Sequence, residues 1–95
     1  MLFRSFIYEA NRIYINDDRG QMIAEITFPL VGDNIVDLDH TYVSNVLRGQ
    51  GIAGKLMEEA LKVIEKNGWK ANTSCSYAAY WKDEHPNKAE FFNQV

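Results

Sequence analysis

The hydrophobic period of this chain changes once. Through Val43 apolar residues alternate with polar ones, and from Ile52 they recur at steps of three and four, with Gly49, Gly51 and Gly54 at the switch. A period of two belongs to half-buried strands and one of 3.6 to a helix with one buried stripe, so strands must hand over to a helix through a glycine-rich turn. Residues 12–16, 22–28 and 35–43 read as the strands. The links between them, 17–20 and 29–34, are short and turn-rich, as in hairpins rather than helical crossovers, so an antiparallel meander is expected. Ile52, Ala53, Leu56, Met57, Ala60, Leu61 and Ile64 then form one helical stripe of about four turns, opposite Lys55, Glu58, Glu59, Lys62, Glu65 and Lys66. Asn67-Gly68 supplies a left-handed cap, 69–75 reads as a further short strand, and Pro86 divides an aromatic tail into two short helical stretches. The fold class is mixed α+β, in one domain over residues 1–95.

Composition narrows the function. Ninety-five residues lie near the lower edge of what one core can support, and 46% apolar content is enough to build it. Thirteen acidic against 10 basic residues give a net charge of -3, and Lys and Arg form no run longer than two, which argues against nucleic acid as a partner. The one cysteine, Cys75, can close no internal disulfide and joins no Cys/His cluster, so no metal site is expected. No long apolar segment points to a membrane and no leader is legible at the start, which makes the cytoplasm the expected location. Asn72-Thr73-Ser74 matches the glycosylation triplet, which carries no weight without a secretory signal.

The segment from Arg48 to Lys55, Arg-Gly-Gln-Gly-Ile-Ala-Gly-Lys, carries the chemistry. Glycines let backbone N–H groups approach an anion, and the following helix adds about half a positive charge at its start. A tight turn without ligand is the plain alternative, but three glycines in six residues exceed what a turn needs. Gly49, Gly51 and Gly54 satisfy the dinucleotide pattern G-x-G-x-x-G, yet antiparallel strands precede it and no acidic residue stands among 69–75 to hold a ribose. Gly49 to Lys55 also spells G-x-x-x-x-G-K, but Leu56 occupies the place where a phosphate-binding loop needs Ser or Thr for magnesium.

Arg48-Gly49-Gln50-Gly51-Ile52-Ala53 resembles the pyrophosphate loop of the GNAT superfamily of N-acetyltransferases, R/Q-x-x-G-x-G/A, at the start of a helix that follows a strand. His40-Thr41-Tyr42-Val43, Cys75-Ser76-Tyr77 and His85-Pro86 occur in the order typical of the superfamily's minimal branch of about a hundred residues, so the resemblance covers about residues 35–92. It implies an acetyl-CoA-dependent N-acetyltransferase, an acyltransferase acting by direct attack of an amine in a ternary complex, as a monomer or weak homodimer. The resemblance places the cofactor site at Val43, Ser44, Arg48, Gly49, Gln50, Gly51, Ile52, Ala53, Gly54 and Lys55, with Gly51 where its N–H faces the pyrophosphate and no side chain fits. Backbone N–H groups at Val43 and its neighbours would polarise the thioester carbonyl. Cys75, facing that splayed strand, is a candidate proton donor, acyl carrier or channel lining; Tyr80 is a candidate acid and His40 a candidate base, while His85 reads as a turn partner.

Departures limit the reading. Tyr42 stands where many relatives of this branch carry an acidic residue, and Cys75 and Lys82 stand where larger enzymes have Asn and Tyr. The N-terminal elements that shape the acceptor pocket in larger members find no counterpart, so the acceptor side is open or completed by a partner. A non-catalytic CoA-binding module is the alternative, as is an interaction subunit presenting Trp81, Phe91 and Phe92; burial of these aromatics would count against the latter.

Overall fold

The computed structural model describes residues 5–93. Strands β1 (Ile7–Glu9), β2 (Arg12–Asn16), β3 (Met22–Thr27), β4 (Leu30–Gly32), β5 (Ile35–Asp37) and β6 (His40–Val43) precede helix α1 (Ile52–Lys66). Strand β7 (Lys70–Asn72), helix α2 (Ser76–Glu84) and a 3-10 stretch (Pro86–Phe91) follow. The expected mixed α+β class is what the chain forms.

The meander is present as the antiparallel order β1-β2-β3-β6, with Ile13 opposite Ile26 and Ala24 opposite Val43. The segment 35–43, expected as one strand, is divided. Its first part, β5, pairs with β4 and, in parallel, with β7 in a second sheet; its last part, β6, pairs with β3. Leu38 and Asp39 make the division. The Leu38 N–H donates to Asn72 O at 2.8 Å and its carbonyl accepts from Cys75 N–H at 3.0 Å, whereas the Asp39 N–H turns the other way, to Thr27 O at 3.3 Å. Past this vertex β6 and the chain beyond β7 diverge as a V. Residues 29–34, expected as a plain turn, contain β4, and Asn34 at φ 58° makes the tight reversal into β5.

Helix α1 is the crossover that a parallel β5/β7 pair requires. It buries Ile52, Leu56, Met57, Ala60, Leu61 and Ile64 against a core that includes Ile13, Ile15, Ala24 and Ile26. Gly68, at φ 71°, is the left-handed residue that ends it, as expected; Asn67 remains right-handed. Helix α2 adds Ala78 and Trp81 to the same core, so both helices lie on one side of the sheet. The other side carries Arg12, Tyr14, Glu25, Thr27, His40 and Tyr42, which alternate with the core positions.

Candidate functional site

The outer edge of β6, the glycine turn before α1 and the start of α2 meet at the opening of the V. In an antiparallel ladder only alternate residues exchange backbone bonds with the partner. Ser44 N–H donates to Ile23 O at 2.8 Å, so that alternation directs the N–H groups of Tyr42 and Ser44 toward β3 and those of Thr41 and Val43 into the opening. Val43 thus presents an outward backbone donor on this edge.

Ser44 caps a 3-10 turn, Asn45–Leu47, by accepting from Val46 N–H at 3.4 Å, and Leu47 anchors the turn in the core. Arg48, Gly49, Gln50 and Gly51 then form an exposed bend. Gly49 and Gly51 adopt φ 81° and 69°, the left-handed region that glycine enters without a Cβ penalty. Gly51 is the N-cap of α1 with no side-chain cap, and the first α-helical bond runs from Lys55 N–H to Gly51 O at 3.2 Å. The N–H groups of Ile52, Ala53 and Gly54 therefore have no helical acceptor, and no acidic residue occupies the first turn. This end of a 15-residue helix suits a pyrophosphate. The expectation that no side chain fits at Gly51 is corrected: a Cβ there would meet no protein atom within 4 Å, and backbone conformation is what reserves the position for glycine.

Gly54 has a different surrounding. A Cβ on it would lie 3.8 Å from the Tyr77 hydroxyl, which sets the first turns of α1 and α2 side by side. Cys75 is the N-cap of α2, three residues beyond the end of β7, and its thiol donates to Thr41 Oγ1 at 3.7 Å across the opening. Thr41 carries no role in the sequence motif, and only its alternation with Val43 on one face of β6 signals its place here. Half-buried Tyr77 packs against the core, and burial first, then Tyr80, Cys75 and Glu58, raises its pKa, so its phenol stays protonated. Tyr80 lies outward, 60% exposed, with its ring 6.4 Å from that of Tyr77.

His40 is not brought together with Cys75. It sits on the opposite face of β6, where its Nε2 lies 3.3 Å from Glu25 Oε1 while Glu25 also pairs with Arg12. His85 is a turn partner as expected: its Nδ1 lies 2.8 Å from Trp81 O, its carbonyl accepts from Lys88 N–H, and its ring stacks on Trp81 at 3.8 Å. Trp81 and Phe92 are 4% and 2% exposed and Phe91 is half-buried, which counts against an aromatic interaction surface. Among the described residues, no group of three or more His, Cys, Asp or Glu could hold a metal ion, and no helix is long and apolar enough to cross a membrane.

A strand edge opened by a V, faced by two helix starts of which one follows a glycine turn, is the fold of the GNAT acetyltransferases. A GCN5-like protein of Staphylococcus aureus, solved by NMR, superimposes with a TM-score of 0.79 at 31% identity, covering 96% of this chain and 89% of that one. The Escherichia coli GNAT-family N-acetyltransferase YhbS, solved with CoA, gives 0.60 at 27% identity, covering 75% of this chain and 43% of that one. The chain belongs to the GCN5-related N-acetyl-transferase family, whose pattern matches residues 12–91. Protein NATD1 of Gallus gallus and of Homo sapiens are each 38% identical to it over 63 residues, 66% of this chain. The match spans little more than half of those relatives, 57% and 56% of their length.

Proposed function

We propose that the chain transfers the acetyl group of acetyl-CoA to an amine by direct attack in a ternary complex. The observation that carries this reading is the convergence of the outward Val43 N–H, the α1 N-terminus behind Gly51 and the Cys75 thiol on one opening. The free N–H groups of Ile52, Ala53 and Gly54, with Arg48 beside them, hold the pyrophosphate of the substrate; Val43 N–H holds the thioester oxygen as charge develops on it. The amine nitrogen forms its bond to the carbonyl carbon as the carbon–sulfur bond breaks. Cys75 gives its proton to the departing thiolate, with Tyr80 the other candidate acid, and His40, on the opposite face, takes the proton that the amine loses. Because His40 and Cys75 flank β6 from opposite sides, acceptor and acetyl-CoA approach from opposite faces of the sheet.

Thermal melting with acetyl-CoA, NAD, and ATP with magnesium tests the loop, and mass analysis of products from a panel of amines tests the transfer. Acetyl-CoA at a hundred times its dissociation constant is expected to stabilise by about 2.7 kcal/mol, with no comparable effect of the others. A larger shift with ATP and magnesium would overturn the site, and binding without any acetylated product would leave a CoA-binding module.

A further inference from the structure

On the sheet face turned away from the helices, one carboxylate is held between two strands. Glu25 lies on the inner strand β3 with Tyr14 of β2 and Tyr42 of β6 as its direct partners across the two ladders, and its side chain is only 13% exposed. Arg12 donates from Nε to Glu25 Oε2, keeps its guanidinium carbon 3.8 Å from the centre of the Tyr14 ring and reaches Glu9 at 3.4 Å. The other oxygen, Oε1, lies 3.3 Å from Nε2 of His40, whose side chain is 53% exposed. Ion pairs at a surface contribute little to stability. What this one fixes is a ring: Arg12 anchors the carboxylate from one side, and the oxygen that remains meets His40.

A carboxylate oxygen offers lone pairs and no hydrogen, so the nitrogen of a neutral imidazole that faces it carries the proton. For His40 that nitrogen is Nε2, and Nδ1 keeps the lone pair. His85 is held the other way round. Its Nδ1 lies 2.8 Å from the Trp81 carbonyl, which also only accepts, so His85 carries its hydrogen on Nδ1. The two histidines of the chain are thus set as opposite tautomers by their neighbours.

We infer that Glu25 is a positioning residue of the transfer: by holding Nε2–H of His40 it makes Nδ1 the atom that takes the proton of the attacking amine, and its charge stabilises the imidazolium that results. The inference rests on the acetyltransferase reading, in which His40 takes that proton. Three residues of strand, about 10 Å, separate His40 from Val43, a span that the imidazole and one bridging water cover on the open face. The amine proton passes to Nδ1 as the amine nitrogen bonds to the carbonyl carbon. Nε2 keeps its own hydrogen throughout, and the ring then yields the extra proton to solvent. Arg12 acts one step further back, by keeping the carboxylate turned toward the ring.

Nitrogen NMR of the full chain, at a pH where both rings are neutral, tests the assignment, because protonated and bare ring nitrogens differ widely in chemical shift. His40 is expected as the Nε2–H form and His85 as the Nδ1–H form. Glu25→Gln keeps the shape of the side chain but has one oxygen for two donors; with that oxygen on Arg12 its amide N–H faces His40, so His40 should move toward the Nδ1–H form while His85 stays as it was. With acetyl-CoA and an amine that the chain acetylates, Glu25→Gln should lower kcat by about tenfold or more at unchanged KM for acetyl-CoA. In a His40→Ala background the same substitution should cost nothing further, since the two residues act as one unit. His40 in the Nδ1–H form in the unaltered protein, a tautomer indifferent to Glu25→Gln in a variant with a folded amide spectrum, or losses that add in the double variant would each overturn the inference. Failure of the unaltered chain to acetylate any amine sinks the acetyltransferase reading instead, and the tautomers, which need no turnover, still show whether Glu25 sets the ring.

Discussion

Gly51 and Gly54 stand three residues apart and are glycine for different reasons. Gly51 is held at φ 69°, where a Cβ costs roughly 1–2 kcal/mol from backbone crowding, although space is open around it. Gly51→Glu adds that strain and a like charge at the anion end, so CoA affinity should fall by about tenfold or more in a titration of the folded variant. Gly54 lies inside α1, and the nearest atom to its missing Cβ is the Tyr77 hydroxyl at 3.8 Å, an ordinary contact. Gly54→Ala should therefore raise stability in urea denaturation, by less than the about 0.5–1 kcal/mol typical of a mid-helix glycine because Gly54 lies in the first turn. CoA affinity should stay unchanged in that variant, because alanine keeps the backbone N–H that Gly54 offers the anion. For Cys75, substitution by Ala should lower turnover by something like 10²-fold with CoA affinity kept, the scale of one acid-base group. An Ala variant with full turnover would move the proton donor to Tyr80.

At the scale of elements, the division of 35–43 generates the opening, and amide hydrogen exchange reads it. Tyr42 and Ser44 should exchange slowly in the free protein, because their N–H groups bond to β3, whereas Thr41 and Val43 should exchange fast. Acetyl-CoA should slow Val43 selectively; uniform protection along β6 would contradict the outward edge. Helix α1 was legible in the sequence because burial imposes its stripe, and the glycine loop because positive φ imposes its residue type. The division was not legible: Val36, Leu38, Thr41 and Val43 all turn inward, and only the partners of consecutive N–H groups reveal where the chain changes sheets. Strands β1 and β4 are exposed throughout and leave no alternation to read. Half-exposed Tyr8 still ties β1 to α1 through a 2.5 Å hydrogen bond to Glu59. Partial burial and this bond raise its phenol pKa from 10.0 to about 12. A raised pKa means that the folded state holds the proton more tightly, so the tie contributes fully below pH 10.0 and is lost as pH rises through about 12. Near-ultraviolet titration should find Tyr8 among the late tyrosinates together with Tyr77, and Glu59→Gln should bring only the Tyr8 component earlier.

For the molecule as a whole, the aromatic tail is the closing element of a small core. Phe92 forms a bridge with Ala71 beside β7, is 2% exposed, and sits 6.4 Å from the ring of Trp81, so it joins the second sheet, α2 and the tail at one point. A domain of this size has roughly 5–14 kcal/mol of net stability, and Phe→Ala in a core costs about 3–5 kcal/mol. Phe92→Ala should therefore remove a large share of the total, and with it the packing that places Asn93 against Asn72 and sets α2 beside α1. Half-buried Phe91 should cost clearly less on the same substitution. Urea unfolding of the two variants measures the difference, and the ordering is the informative part. A tail that served as a docking surface would show the reverse pattern, with little stability lost at either position and a partner's affinity lost at both.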